Sequence, residues 1–262
     1  MLGKRTGIWV LLLILPTVLR AQDKINYSEF DRLTKTYVNA QGMVNYPGLQ
    51  KELPALKSFL DQISQVSPDS HPAWFPDEPE KLRYFITAYN AWVLYIVAQA
   101  YPKKDTLWGK LLFKDKPIKL GGQDSSLDKL EHGIIRKRFA DPRVHFYLNC
   151  AARSCPPLPQ GAIPAGKTDE ALTASARSFI NHPKHVTFDP ATRKLRLSKI
   201  FDWFADDFLT HLKTKHNQAE PHIVQYLLLY LEGETKQALA QTRRKDLKVS
   251  YFKYDRSLNE QP

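Results

Sequence analysis

The stretch Pro79-Glu-Lys-Leu-Arg-Tyr-Phe-Ile-Thr-Ala-Tyr-Asn-Ala-Trp-Val-Leu-Tyr-Ile-Val-Ala-Gln-Ala-Tyr101 is apolar on nearly every side from Tyr84 to Ala100. Pro79 suits the first turn of a helix, and Pro102 blocks its continuation. A helix that is apolar all round belongs in the middle of a core, so the rest of the chain must wrap around it. Asn90 interrupts the apolar run. A buried amide without a partner costs about 1–3 kcal/mol, so Asn90 must bond either a neighbouring loop or a ligand.

Upstream, Phe30, Leu33, Thr34 and Tyr37 recur at helical spacing and predict a helix over 28–37. Val44 to Tyr46 reads as a short extended piece. Leu49, Leu53, Leu56, Phe59, Leu60 and Ile63 form one stripe of a helix over 49–66. Residues 67–79 hold four prolines and predict a loop. Downstream, 117–120 reads as a strand running into Gly121-Gly122, and Ser125 or Ser126 can cap a helix reaching Phe139. Arg143 to Asn149 alternates like a strand, and 150–164 is a loop of prolines and small residues. Thr168 caps a helix to about Asn181, and 185–189 and 194–199 form a hairpin. Further helices cover 202–211 and 219–231, and 249–254 is a closing strand. Helices mixed with short strands, without repeats, predict an α+β fold in which helices pack around a small, mainly antiparallel sheet.

The first 21 residues stand apart. Lys4 and Arg5, an apolar run from Ile8 to Leu15, and an exit at Ala21 make a secretory signal pattern, which predicts an exported, periplasmic or secreted protein with one domain over 22–262. The run is too short to span a bilayer, which needs roughly 20 apolar residues, and no cysteine follows it to carry a lipid. Removing Lys4, Arg5 and Arg20 with no acid lowers the formal net charge from +11 to +8. The cations are dispersed, apart from Arg243-Arg244-Lys245 and Lys248, so nucleic-acid binding is not expected.

Four spaced stretches, Tyr84–Trp92, Leu127–Ile135, Asp141–Pro157 and Leu197–Trp203, together with Tyr254–Asn259, resemble the domain of unknown function 547 family. The resemblance covers about Tyr27 to Asn259. It implies an exported bacterial protein of unassigned activity, so it supplies landmark positions and no reaction. Family members often carry an acid where this chain has Asn45.

Cys150 and Cys155 admit two readings. In an oxidising compartment an even count favours a disulfide, here bracing a short loop. Alternatively Cys150, placed where a strand gives way to a loop, is a thiolate nucleophile with His132 as base and Glu131 or Asp141 as orienting group. In a strand His145, Tyr147 and Asn149 share one face and Cys150 the other, so His145 is the weaker base. Asn90, Arg143, His145 and Asn149 are candidate substrate contacts, the arginine because its fork suits carboxylates. An ion pair of Arg143 with Asp141 or Glu131 is the competing structural role. His182, His185, His211, His216 and His222 form no metal-ligand pattern. No glycine-rich phosphate loop or nucleotide fingerprint is present, so no cofactor is expected.

Three functions follow. The first is a thiol-dependent hydrolase or acyltransferase, on a fold distantly like papain or the transglutaminases by analogy alone. The second is a non-catalytic module for a peptide or glycan, with a structural Cys150–Cys155 bridge. A metal-dependent enzyme is the third.

Overall fold

The computed structural model describes residues 25–102 and 116–262. The proposed leader over 1–21 lies outside the described residues. Among those described, no helix is long and apolar enough to cross a membrane.

Helix α4 (Glu78–Ala100) is the axis the sequence predicts. The Asp77 carboxylate caps it by accepting from the Glu80 amide at 2.8 Å, and most side chains from Leu82 to Ala98 are buried. Around it lie α1 (Ser28–Tyr37), α2 (Tyr46–Gln50) and α3 (Leu53–Gln65). The single helix expected over 49–66 is two pieces. Pro54 lacks an amide and its ring clashes with the preceding turn, so it can start α3 but cannot continue α2. Asn45 caps α2 by accepting from Gly48 N at 2.9 Å. An acid there could accept the same bond, which accounts locally for either residue.

Strands β1 (Ile118–Leu120) and β2 (Gln123–Ser125) pair antiparallel across Gly121-Gly122, both at positive φ. The helix expected to reach Phe139 is a π-helix over Lys129–Phe139, closed by Ala140 in the left-handed region (φ 49°). The strand expected over 143–149 is instead a short 3-10 helix, Pro142–Phe146. Asp141 forces this turn: its carboxylate accepts from the Arg143 amide at 3.0 Å, while Pro142 fixes the first φ. Val144, His145 and Phe146 are consequently all buried rather than alternating.

After α5 (Thr168–Ile180), the hairpin forms from β3 (Val186–Asp189) and β4 (Lys194–Leu197). β5 (Lys248–Tyr251) adds to β4 in parallel, so this sheet is mixed. Helices α6 (Ile200–Trp203), α7 (Ala205–Lys215), α8 (Ile223–Tyr230) and α9 (Gly233–Gln241) lie between β4 and β5. The fold is α+β.

Two apolar clusters form the interior. One surrounds α4; the other is an aromatic cluster of Phe146, Phe179, Phe201, Phe208 and Tyr226. Helix α5 serves both, with Leu172 in the first and Ala176, Phe179 and Ile180 in the second. The 3-10 turn does the same, with Val144 in the first and Phe146 in the second.

Candidate functional site

Cys150 and Cys155 form a disulfide, with Cα atoms 6.2 Å apart. The loop between them is held from both sides. Below, Asn90 on α4 accepts from Asn149 N at 3.0 Å and donates to Tyr147 O at 3.2 Å. The predicted partner of that buried amide is therefore the entry to the cysteine loop. Asn149 in turn donates to Pro156 O at 2.7 Å and accepts from Ala151 N at 2.8 Å. Asn90 and Asn149 thus bond backbone and shape the loop. Ala151 sits at φ 62°, a left-handed conformation that costs a non-glycine residue about 1 kcal/mol or more and persists only where its surroundings impose it.

Above, the C-terminal tail runs along the loop. Arg153 N bonds Ser257 O at 2.9 Å, Ser154 N bonds Asp255 O at 3.1 Å, and Asn259 N bonds Ala151 O at 3.0 Å. The tail also reaches the N-terminal region, where Val44 N bonds Asn259 O at 2.8 Å and Gln261 N bonds Val44 O at 2.9 Å. Tyr254 is laid over the bridge, its hydroxyl 3.4 Å from Cys150 Sγ and 3.2 Å from Cys155 Sγ. Disulfide sulfurs carry no hydrogen, so the phenol donates. Burial raises its pKa, Arg256 opposes and Glu131 adds to the rise, so it remains protonated. Trp203, an exposed aromatic, packs at a tilt against the same ring, centroids 4.7 Å apart.

The other predicted residues form a second network. Glu131 accepts from the buried Tyr89 hydroxyl at 2.8 Å. Burial, reinforced by Glu131, pushes the Tyr89 phenol well above its usual range, so it is a fixed donor. His132 Nδ1 lies 2.9 Å from Arg136 Nη1. A guanidinium can only donate, so that nitrogen accepts and the imidazole proton sits on Nε2. Glu131 Oε1 is 3.9 Å from the same nitrogen. Arg136 continues to Asp207 at 2.7 and 3.0 Å, and Asp207 accepts from His145 Nε2 at 2.7 Å. Burial alone would raise the Asp207 pKa, but the bonds from His145 and Arg136 outweigh it and hold the carboxyl well below its usual range. His145 is pushed the other way, since burial lowers its pKa despite Asp207. It stays neutral, stacked on Phe204 at 3.9 Å.

Among the described residues no hydrogen bond or ion pair joins Cys150 to His132. Arg143 is occupied by Asp141, at 2.6 to 3.1 Å, and by Thr173 Oγ1 at 2.7 Å and Asp169 Oδ1 at 2.8 Å. Nor do three His, Cys, Asp or Glu side chains of the described residues gather as metal ligands. Asp207, Tyr89 and Tyr254 escape the sequence reading. Tyr254 lies in a stretch that reading singles out, but its contact with the sulfurs spans about a hundred residues.

Two concavities flank this machinery. A cleft of about 360 Å³ is walled by His132, Arg136, Asp141 and Asp207. A larger groove of about 510 Å³ is lined in part by Tyr254, with Arg153, Lys184, Lys199 and Lys253 against the single carboxylate of Asp255 among the described residues. Lys199 pairs with Asp202 at 2.8 Å; Arg153, Lys184 and Lys253 have no ion-pair partner among the described residues.

Residues 75–180 match the model of a family described as Protein of unknown function, DUF547. The matched span runs from Phe75 through α5 and includes Asn90, Glu131, His132 and both cysteines. No curated protein matches the chain, and no solved structure does.

Proposed function

We propose that this chain, with a domain of that family over 75–180, is an exported, non-catalytic module that binds a carboxylate-bearing peptide or glycan in the groove beside Tyr254. The carrying observation is the charge of that groove, four cations against one acid. Like charges held along a concave wall raise the local concentration of an anionic ligand. Arg153 presents a planar fork suited to a carboxylate. The disulfide fixes the loop that carries Arg153 and Ser154, and Trp203, packed against the groove residue Tyr254, offers an exposed aromatic surface, as suits a sugar ring or an aromatic side chain.

The thiol-dependent hydrolase or acyltransferase reading draws support from Tyr254, which touches both sulfurs and feels the charge of Glu131. It requires a free Cys150 and a base with an open lone pair. Here both sulfurs are bonded, and His132 Nδ1 already accepts from Arg136. The binding reading needs neither rearrangement.

Calorimetric titration with hexagalacturonate and hexaglutamate, against maltohexaose as the uncharged control, tests it. At least one acidic probe should bind, weakening with added salt. The double variant Arg153→Glu/Lys253→Glu should lose about tenfold or more in affinity. Absence of binding by both acids, or affinity unchanged by the charge reversal, would overturn it.

A further inference from the structure

The two sulfurs of the bridge are not equivalent. Cys155 Sγ lies 3.1 Å from Cys150 N, 3.4 Å from Ala152 N and 3.2 Å from the Tyr254 hydroxyl, all three of them donors. Among the described residues Cys150 Sγ has the Tyr254 hydroxyl alone, at 3.4 Å. Cys155 is 5% exposed, whereas Cys150 is half-buried and more open to an incoming group. Thiol–disulfide exchange proceeds fastest when the attacked sulfur is accessible and the leaving sulfur is stabilised as a thiolate. Hydrogen bonds to the charged form supply that stabilisation and here oppose the cost of burial.

We infer that the Cys150–Cys155 bridge is a directional thiol–disulfide exchange site, attacked at Cys150 by an external dithiol and releasing Cys155 as the thiolate. The incoming thiolate forms a bond to Cys150 Sγ, the Sγ–Sγ bond breaks, and its electron pair stays on Cys155 Sγ. The second thiolate of the dithiol then attacks the mixed disulfide at its own sulfur. This frees Cys150 as a thiolate and closes the dithiol into a disulfide. The protein is reduced by two electrons, the dithiol oxidised by two, and the two protons the dithiol loses are available to the cysteines. Tyr254 serves as donor in the first step; because burial keeps its phenol protonated, it does not compete as an acid near neutral pH. The charged groups acting on Tyr254 are Glu131 and Arg256, of opposite sign. The exchange step requires no ligand in the groove.

The full mature protein with its bridge intact is treated with excess glutathione, quenched in acid, alkylated and mapped by mass. The mixed disulfide should sit on Cys150, in about tenfold excess over Cys155. Reduction by dithiothreitol should be about fivefold slower or more in Tyr254→Phe, which loses a bond to the leaving thiolate. Should that variant fail to fold, ultraviolet thiolate titration of two others decides the same point. Cys155, alone in Cys150→Ser, should ionise about one pH unit or more below Cys150, alone in Cys155→Ser. An adduct shared equally or favouring Cys155, an unchanged rate in folded Tyr254→Phe, or a reversed order of ionisation would overturn the assignment.

Discussion

Asn90 shows what a single polar side chain does inside an apolar helix. It receives Asn149 N and donates to Tyr147 O, fixing the approach to the cysteines. Asn90→Ala should cost about 2–3 kcal/mol in urea denaturation, because it strands a buried amide hydrogen and a carbonyl. That a buried Asn needs a partner was evident from the sequence; which partner was not, since it lies 59 residues away. Histidine 185 carries a different consequence. Stacked on Phe179 at 3.7 Å, it has its pKa lowered to about 3, burial being the main cause, with His182 and Lys184 adding to it. The unfolded chain therefore takes up a proton near pH 6.5 that the folded chain refuses, and stability falls as pH drops from there toward 3. Asp207 has the opposite chemistry and the same sign: its depressed pKa stabilises the fold above about pH 4, a contribution lost on acidification. Replacing His185 with Phe should flatten the stability profile between pH 6 and 4 relative to wild type, an effect that denaturation at stepped pH would read.

Elements built on long apolar stripes are legible in the sequence, and those built on one tight contact are not. Helix α4 and the β3–β4 hairpin announce themselves through periodicity and turn residues. The segment 142–146 misleads, because alternation over so few residues describes a strand and a 3-10 turn equally well, and the Asp141-Pro142 start decides between them. The π-helix has the composition of an ordinary helix, and only its wide turns distinguish it. Helix α9 escapes because Leu239 is its one buried side chain, too few to make a stripe. The turn between α1 and α2 is set by Gly42, at φ 73°, against the backbone of Pro157 and Leu158. A methyl group there would strike that backbone in a conformation L residues avoid. Gly42→Ala should therefore destabilise by about 3 kcal/mol in thermal or chemical unfolding, through strain and overpacking together.

Over the whole molecule, the two apolar clusters meet through α5 and the 3-10 turn, so damage to one is felt by the other. The aromatic cluster depends on Phe146, fully enclosed between Phe179, Phe201, Phe208 and Tyr226. Phe146→Ala should cost about 3–5 kcal/mol and pull on Cys150 through the turn, readable as a lower urea midpoint and faster bridge reduction. The candidate site spans these scales: its cysteines are obvious in the sequence, while Asp207 and Tyr254 reach it across 62 and 104 residues. Local patterns hold no record of such distances. The C-terminal tail, which lies over the cysteine loop and pairs with Val44, also sets an order in time. Ribosomes make that strip well after α5, so a nascent chain that has emerged only through α5 still lacks the backbone that shapes the loop and the phenol that covers its sulfurs. Arrival of residues 254–261, rather than collapse of the earlier helices, is then the event that sets this corner of the protein.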